Sequence, residues 1–189
     1  MEMTEEERQD WPEGLWRVGC EFVTAGYDAL ACHRKREKNR RGPNRSHAPP
    51  GEHVPFPIYY NFLHGIELGL KAYLRHVKAV PLKDLRNQKK FGHHLNRLLK
   101  KALCHHLREA CPELTDRHIA TVCCSSRLYA RKEFEYIRID GAQLPPIDQV
   151  VAAADTLIAG LGGLICPIPL KTFARKLPWL NNAIYAARR

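Results

Sequence analysis

Apolar residues in 58–77 recur at helical spacing. Phe62, Ile66, Leu70, Tyr73, Leu74 and Val77 mark one face, and Tyr59 and Leu63 widen it. So broad a face predicts a centrally packed helix, closed by Pro81. Tyr60, His64, Glu67 and Lys71 fall at i, i+4, i+7 and i+11 of the same segment and form one polar stripe. A histidine, a carboxylate and an amine in a row on an apolar helix are either a satisfied network that ties helices together or the wall of a groove. In both cases a buried charge requires a partner.

Four other segments carry the helical pattern. The first runs from Pro12 to Arg36, with Leu15, Trp16, Gly19, Phe22, Val23, Gly26, Ala29 and Leu30 on its core face. Residues 37–57, rich in proline and glycine, read as a loop. After a charged connector at 82–90, a third helix begins with "FGHHLNRLLKKALCHHL". Its core face is Leu95, Leu98, Leu99, Ala102 and Leu103, and Arg97, Lys100, Lys101 and Arg108 lie on the outside. A fourth helix, capped by Thr115 or Asp116, places Ile119, Val122, Cys123, Leu128 and Tyr129 inside. The fifth spans Ile147–Leu161 and stops at the glycines and prolines of "GLGGLICPIP". No alternating β-pattern and no internal repeat occurs. The expected fold is all-α: an up-down antiparallel bundle of four to five helices over residues 1–166, with a basic loop at 34–56 and a basic C-terminal extension at 167–189.

Charge adds a functional direction. The chain of 189 residues has a formal net charge of +10, unevenly spread. Residues 1–10 carry five acids and one base. Residues 34–45 carry seven bases and only Glu37, and residues 71–108 carry eleven bases and only Asp84. Such blocks favour phosphate-bearing or acidic partners, or else form a solvated surface. The loop at 34–47 reads equally as a backbone-contacting arm or as a surface loop without a ligand.

Other classes are disfavoured. The start, "MEMTEEERQD", lacks the basic and apolar regions of a signal peptide, and no run of about 18 uncharged apolar residues suggests a membrane span. Seven cysteines, irregularly spaced and without CxxC, suit reduced thiols in the cytoplasm, with the vicinal pair Cys123–Cys124 buried as small residues. Cys104, His105, His106, Cys111 and His118 lack paired zinc-ligand spacing. "GLGG" follows a helix rather than a strand, the wrong context for a nucleotide loop. No metal and no cofactor are expected.

Three pieces, "NFLHGIELGLKAYL", "FGHHLNRLLKKA" and "SRLYARKEFEYIRIDG", resemble HEPN-domain proteins (higher eukaryotes and prokaryotes nucleotide-binding) in order and spacing over residues 12–161. The matching positions are Ile66, Glu67 and Lys71; Gly92, His93 and Leu95; and Leu128, Tyr129, Lys132, Phe134 and Tyr136. The resemblance implies a helical bundle, often a homodimer. It implies RNA or nucleotide as ligand, and a place among RNA-cleaving toxins and defence proteins, some of which pair with a nucleotidyltransferase. Members that cleave RNA carry R-x4–6-H in a late helix, and this chain has no such match from Cys104 onward. The matches are Arg40 or Arg41 with His47, and Arg86 with His93, a number that chance alone produces in so basic a chain. If the protein cleaves RNA, it does so as a metal-independent endoribonuclease with Arg86 and His93 as phosphate clamp and acid/base group. The bland reading of His93 is a structural histidine bonded to Glu67. His64, Glu67, Lys71, Tyr129, Lys132, Arg97, Lys100 and Lys101 are the candidate binding residues. The alternative is a non-catalytic helical module that engages a protein.

Overall fold

The computed structural model describes residues 11–41, 54–130 and 144–166, and the regular structure among them is entirely helical. In chain order the helices are α1 (Pro12–Arg41), α2 (Phe56–His76), α3 (Leu82–Arg86), α4 (Leu95–Leu103), α5 (Leu107–Ala110), α6 (Asp116–Ala130) and α7 (Ile147–Ile165). The N-terminal ten residues, the prolyl stretch 42–53, the segment holding Lys132, Phe134 and Tyr136, and the tail 167–189 lie outside the described residues.

Helix α2 is the central element, as its wide apolar face requires. It packs against α1, α4, α6 and α7, and Phe62, Leu63, Ile66, Leu70 and Leu74 are fully buried. The α1–α2 contact is close because both partners are glycines. A Cβ on Gly65 would stand 2.5 Å from Val23 Cγ2 and 3.0 Å from the Gly19 carbonyl. Trp16 Nε1 donates to the Ile158 carbonyl at 2.9 Å, fastening α1 to α7.

Several expected boundaries move. Helix α1 continues to Arg41, so residues 34–41 of the expected basic loop are helical. Lysine, arginine and glutamate are good helix formers. Arg34 pairs with Asp148 of α7 at 2.8 Å, and Arg40 with Glu37 at 3.6 Å. The connector at 82–90 begins with the short helix α3. The third expected helix breaks after Leu103 and resumes at Leu107, because His106 adopts a left-handed φ of 64°. Helix α7 runs through its glycines to Ile165. It is long and apolar enough to cross a membrane, and here half of it is buried against the protein.

Helix α6 buries Val122 and Tyr129 as expected, with Ile119 and Leu128 packed at the core's edge, but its inward face is otherwise more polar than the pattern suggested. Cys123 is exposed, as is Cys124, while Thr121, Ser125 and Ser126 are buried. Thr121 Oγ1 donates to the Arg117 carbonyl at 2.8 Å and Ser125 Oγ to the Thr121 carbonyl at 2.9 Å. With their protons spent on their own helix, these hydroxyl side chains pack as small residues.

Candidate functional site

The polar stripe of α2 converges on Glu67, whose side chain is only 1 % exposed. Lys71, one turn further on, donates from Nζ to Glu67 Oε1 at 2.5 Å. The other carboxylate oxygen, Oε2, accepts from Tyr129 Oη of α6 at 2.5 Å and from His93 Nδ1 at 2.9 Å. His64, one turn before Glu67, has its Nδ1 2.6 Å from Tyr129 Oη and 3.5 Å from Glu67 Oε2. Four side chains from three segments thus meet at one buried carboxylate.

The protons follow from the distances. Tyr129 has one proton and gives it to Glu67, so its oxygen accepts from His64 Nδ1–H. Glu67 is ionised, so His93 Nδ1 also carries a proton. Burial alone would raise the Glu67 carboxyl. The hydrogen bonds from His64 and His93, and then the charge and hydrogen bond of Lys71, override that and hold it well below the usual carboxylate range. Both rings therefore turn Nδ1 toward the buried hydroxyl and carboxylate, and neither Nε2 has a hydrogen-bond partner among the described residues.

His93 is delivered by a tight turn rather than by a helix. The Asn87 carbonyl accepts from Lys90, Phe91 and Gly92 N–H, each at 3.0 Å. Gly92 has φ +34°, and a Cβ there would fall 2.6 Å from Gln88 Cα. Only glycine fits that position. Arg97 clamps the turn from outside, donating from one terminal guanidinium nitrogen to the carbonyls of Lys89 at 2.5 Å and Lys90 at 3.0 Å. Ser126 Oγ accepts from Asn96 N–H at 3.0 Å, which satisfies a free donor at the start of α4 and joins it to α6.

Aromatic rings wall the site. Tyr60 stacks on His64 with centroids 5.4 Å apart and planes at 10°. Phe22 of α1 meets the same imidazole edge-on at 4.3 Å. The two imidazole centroids are 6.4 Å apart. The His93 side chain is 32 % exposed and that of His64 17 %, so the cluster sits at the protein surface with its carboxylate sealed beneath.

Among the residues singled out from the sequence, His64, Glu67, Lys71, His93 and Tyr129 come together. Arg97 touches the turn that carries His93. Lys100 is exposed and Lys101 half-buried on the outer side of α4. Arg86 is exposed at the end of α3, and Lys132 lies outside the described residues. Phe22 was legible only as a core residue of the first helix, because nothing in the spacing of α1 says which residue of α2 it meets. The cluster also contains a set of potential ligand atoms that the stretch 104–118 does not. His64, Glu67 and His93 offer ligand atoms that all lie within 4.8 Å of one another. His93 belongs to another segment, so no local spacing could reveal the set.

No family model, no curated protein and no solved structure matches this chain.

Proposed function

We propose that the chain is a HEPN-like up-down helical bundle that binds RNA, or another phosphate-rich ligand, over the face where His93, the Asn87–Gly92 turn and the basic side of α4 adjoin. The observation that carries this reading is convergence. The pieces that give the HEPN resemblance, Glu67 with Lys71, Gly92 with His93, and Tyr129, are far apart in the chain and share one hydrogen-bonded centre. The block of eleven bases against one acid over 71–108 supplies the charge for phosphate contacts. On this reading the protein is a cytoplasmic homodimer and a toxin or defence component, with a nucleotidyltransferase as a candidate companion. If it cleaves RNA, Arg86 contacts phosphate and His93 Nε2 transfers the proton.

One observation favours a second reading, a non-catalytic module with a protein partner: both oxygens of Glu67 are already satisfied within the fold, so the network is complete as a brace. Fluorescence anisotropy with a labelled single-stranded RNA, run from low to high salt, separates the two. The RNA reading expects binding at low salt whose logarithm falls linearly with the logarithm of salt concentration. Absence of binding at low salt removes it.

A further inference from the structure

We propose that His64, Glu67 and His93 form a binding site for a divalent first-row transition ion of the zinc type, coordinated through His64 Nδ1, His93 Nδ1 and Glu67 Oε2. This inference stands apart from RNA binding, because the donor set is complete without any nucleic acid.

The geometry is the first argument. Donors bound at about 2.0–2.2 Å to one tetrahedral or octahedral ion stand about 3–3.5 Å from each other. Glu67 Oε2 is 2.9 Å from His93 Nδ1 and 3.5 Å from His64 Nδ1, and the three residues offer a set of ligand atoms within 4.8 Å of one another. Widening the His93 contact and drawing the two rings together seat an ion. The positions are also fixed in advance. His64 and Glu67 are i, i+3 on one helix, a spacing that projects histidine and glutamate into a shared site. Gly92 locks the turn that brings His93 to them.

The chemistry of the donors is the second argument. Two imidazoles and one carboxylate suit zinc and its neighbours, and three protein ligands leave a position for water. Binding requires each Nδ1 to exchange its proton for a lone pair. The ring proton then moves to Nε2, which has no other partner among the described residues. Tyr129 Oη, 2.5 Å from Oε2, is at hand as an outer hydrogen-bonding group on the carboxylate, while its 2.6 Å contact with His64 Nδ1 gives way to the ion. Stacking of Tyr60 on His64 holds one imidazole, and the 32 % exposure of the His93 side chain gives an ion a way in.

Lys71 opposes the ion. Its ammonium is bound to Oε1, the oxygen that the metal does not use, and it repels a dication beside it. The proposal therefore makes an unusual demand: removing Lys71 must strengthen binding.

The test is calorimetric titration of Zn²⁺ into the chelator-stripped full chain, in reducing buffer without phosphate. One ion per chain is expected. His64→Ala and His93→Ala should each weaken binding by about 100-fold or more, and Lys71→Met should tighten it by about tenfold. Of the exposed thiols Cys32, Cys104, Cys123 and Cys124, the vicinal pair Cys123 and Cys124 are the rival donors that one ion could share, and changing both to serine should leave affinity unaltered. Co²⁺ added to the unaltered chain gives an answer independent of variant folding, since histidine and carboxylate ligation produces no thiolate charge-transfer band. A thiolate band, no stoichiometric binding, weaker binding in Lys71→Met, or affinity that follows the cysteines and ignores both histidines overturns the proposal.

Discussion

His93 Nδ1 and Glu67 Oε2 lie 2.9 Å apart although 26 residues separate them, and the carboxylate is only 1 % exposed. That contact joins the central helix to the turn before α4, and Tyr129 adds α6 to the same oxygen across 62 residues of sequence. A polar hub at the junction of three segments determines their register. Its hydrogen bonds form only when α2, the turn and α6 are all placed correctly.

Removing the hub charge should be costly. Glu67→Gln leaves the Lys71 ammonium, 14 % exposed, without its counter-charge, and urea denaturation should record a loss of about 3–5 kcal/mol. The double variant Glu67→Gln with Lys71→Met should recover part of that loss, because no buried ammonium then remains unpaired. Strict additivity of the two single effects would contradict a coupled pair.

Gly92→Ala tests the turn. The residue combines φ +34° with a Cβ position 2.6 Å from Gln88 Cα, so alanine should destabilise the protein by about 1–3 kcal/mol. A melting temperature equal to that of the parent would show that the turn does not need glycine.

Asp155 should make stability depend on pH. It sits in α7, accepts a hydrogen bond from Tyr27 Oη of α1, and its Oδ1 is buried without a partner among the described residues. Burial pushes its carboxyl up to about 6, against the opposing hydrogen bond of Tyr27. The folded state therefore keeps this proton to a higher pH than the unfolded state. The stabilisation from Asp155 is complete below about pH 4 and is lost as pH rises through 6. Asp155→Asn cannot ionise, so its stability relative to the parent should increase between pH 4 and 7, by at most about 3 kcal/mol. Chemical denaturation at the two pH values checks this, and an unchanged difference contradicts it.

Charge reversal on α4 addresses the binding face. Lys100→Glu with Lys101→Glu should weaken RNA binding and lower the salt slope by about 0.7 per lost phosphate contact. Equal slopes in variant and parent would move the contact face elsewhere on the molecule.

The sequence made the centre of the molecule legible and misread its edges, for physical reasons. The apolar face of α2 was wide enough to mark it as central, and the stripe Tyr60, His64, Glu67, Lys71 was visible from spacing alone. The contact between His93 and Glu67 was expected only as the structural reading of a histidine that the HEPN resemblance had singled out. On helix α6 the apolar count placed Val122 and Tyr129 inside correctly but put Cys123 there too, whereas Ser125 and Ser126 are the ones that pack. Their hydroxyls are satisfied by the helix's own carbonyl and by Asn96 N–H. The glycines of α7 suggested a stop, yet one of them makes room for a neighbour: a Cβ on Gly160 would fall 2.2 Å from Cys111 Sγ. Tertiary packing decides both cases, and neither is encoded in local periodicity.

The most direct test of the central claim is a histidine-selective NMR titration of the full chain with a short single-stranded RNA at low salt. The account predicts that the ring signals of His64 and His93 shift together, while those of His33 in α1 and His118 in α6 stay in place. Shifts confined to His33 or His118, or none at all at saturating RNA, would contradict it.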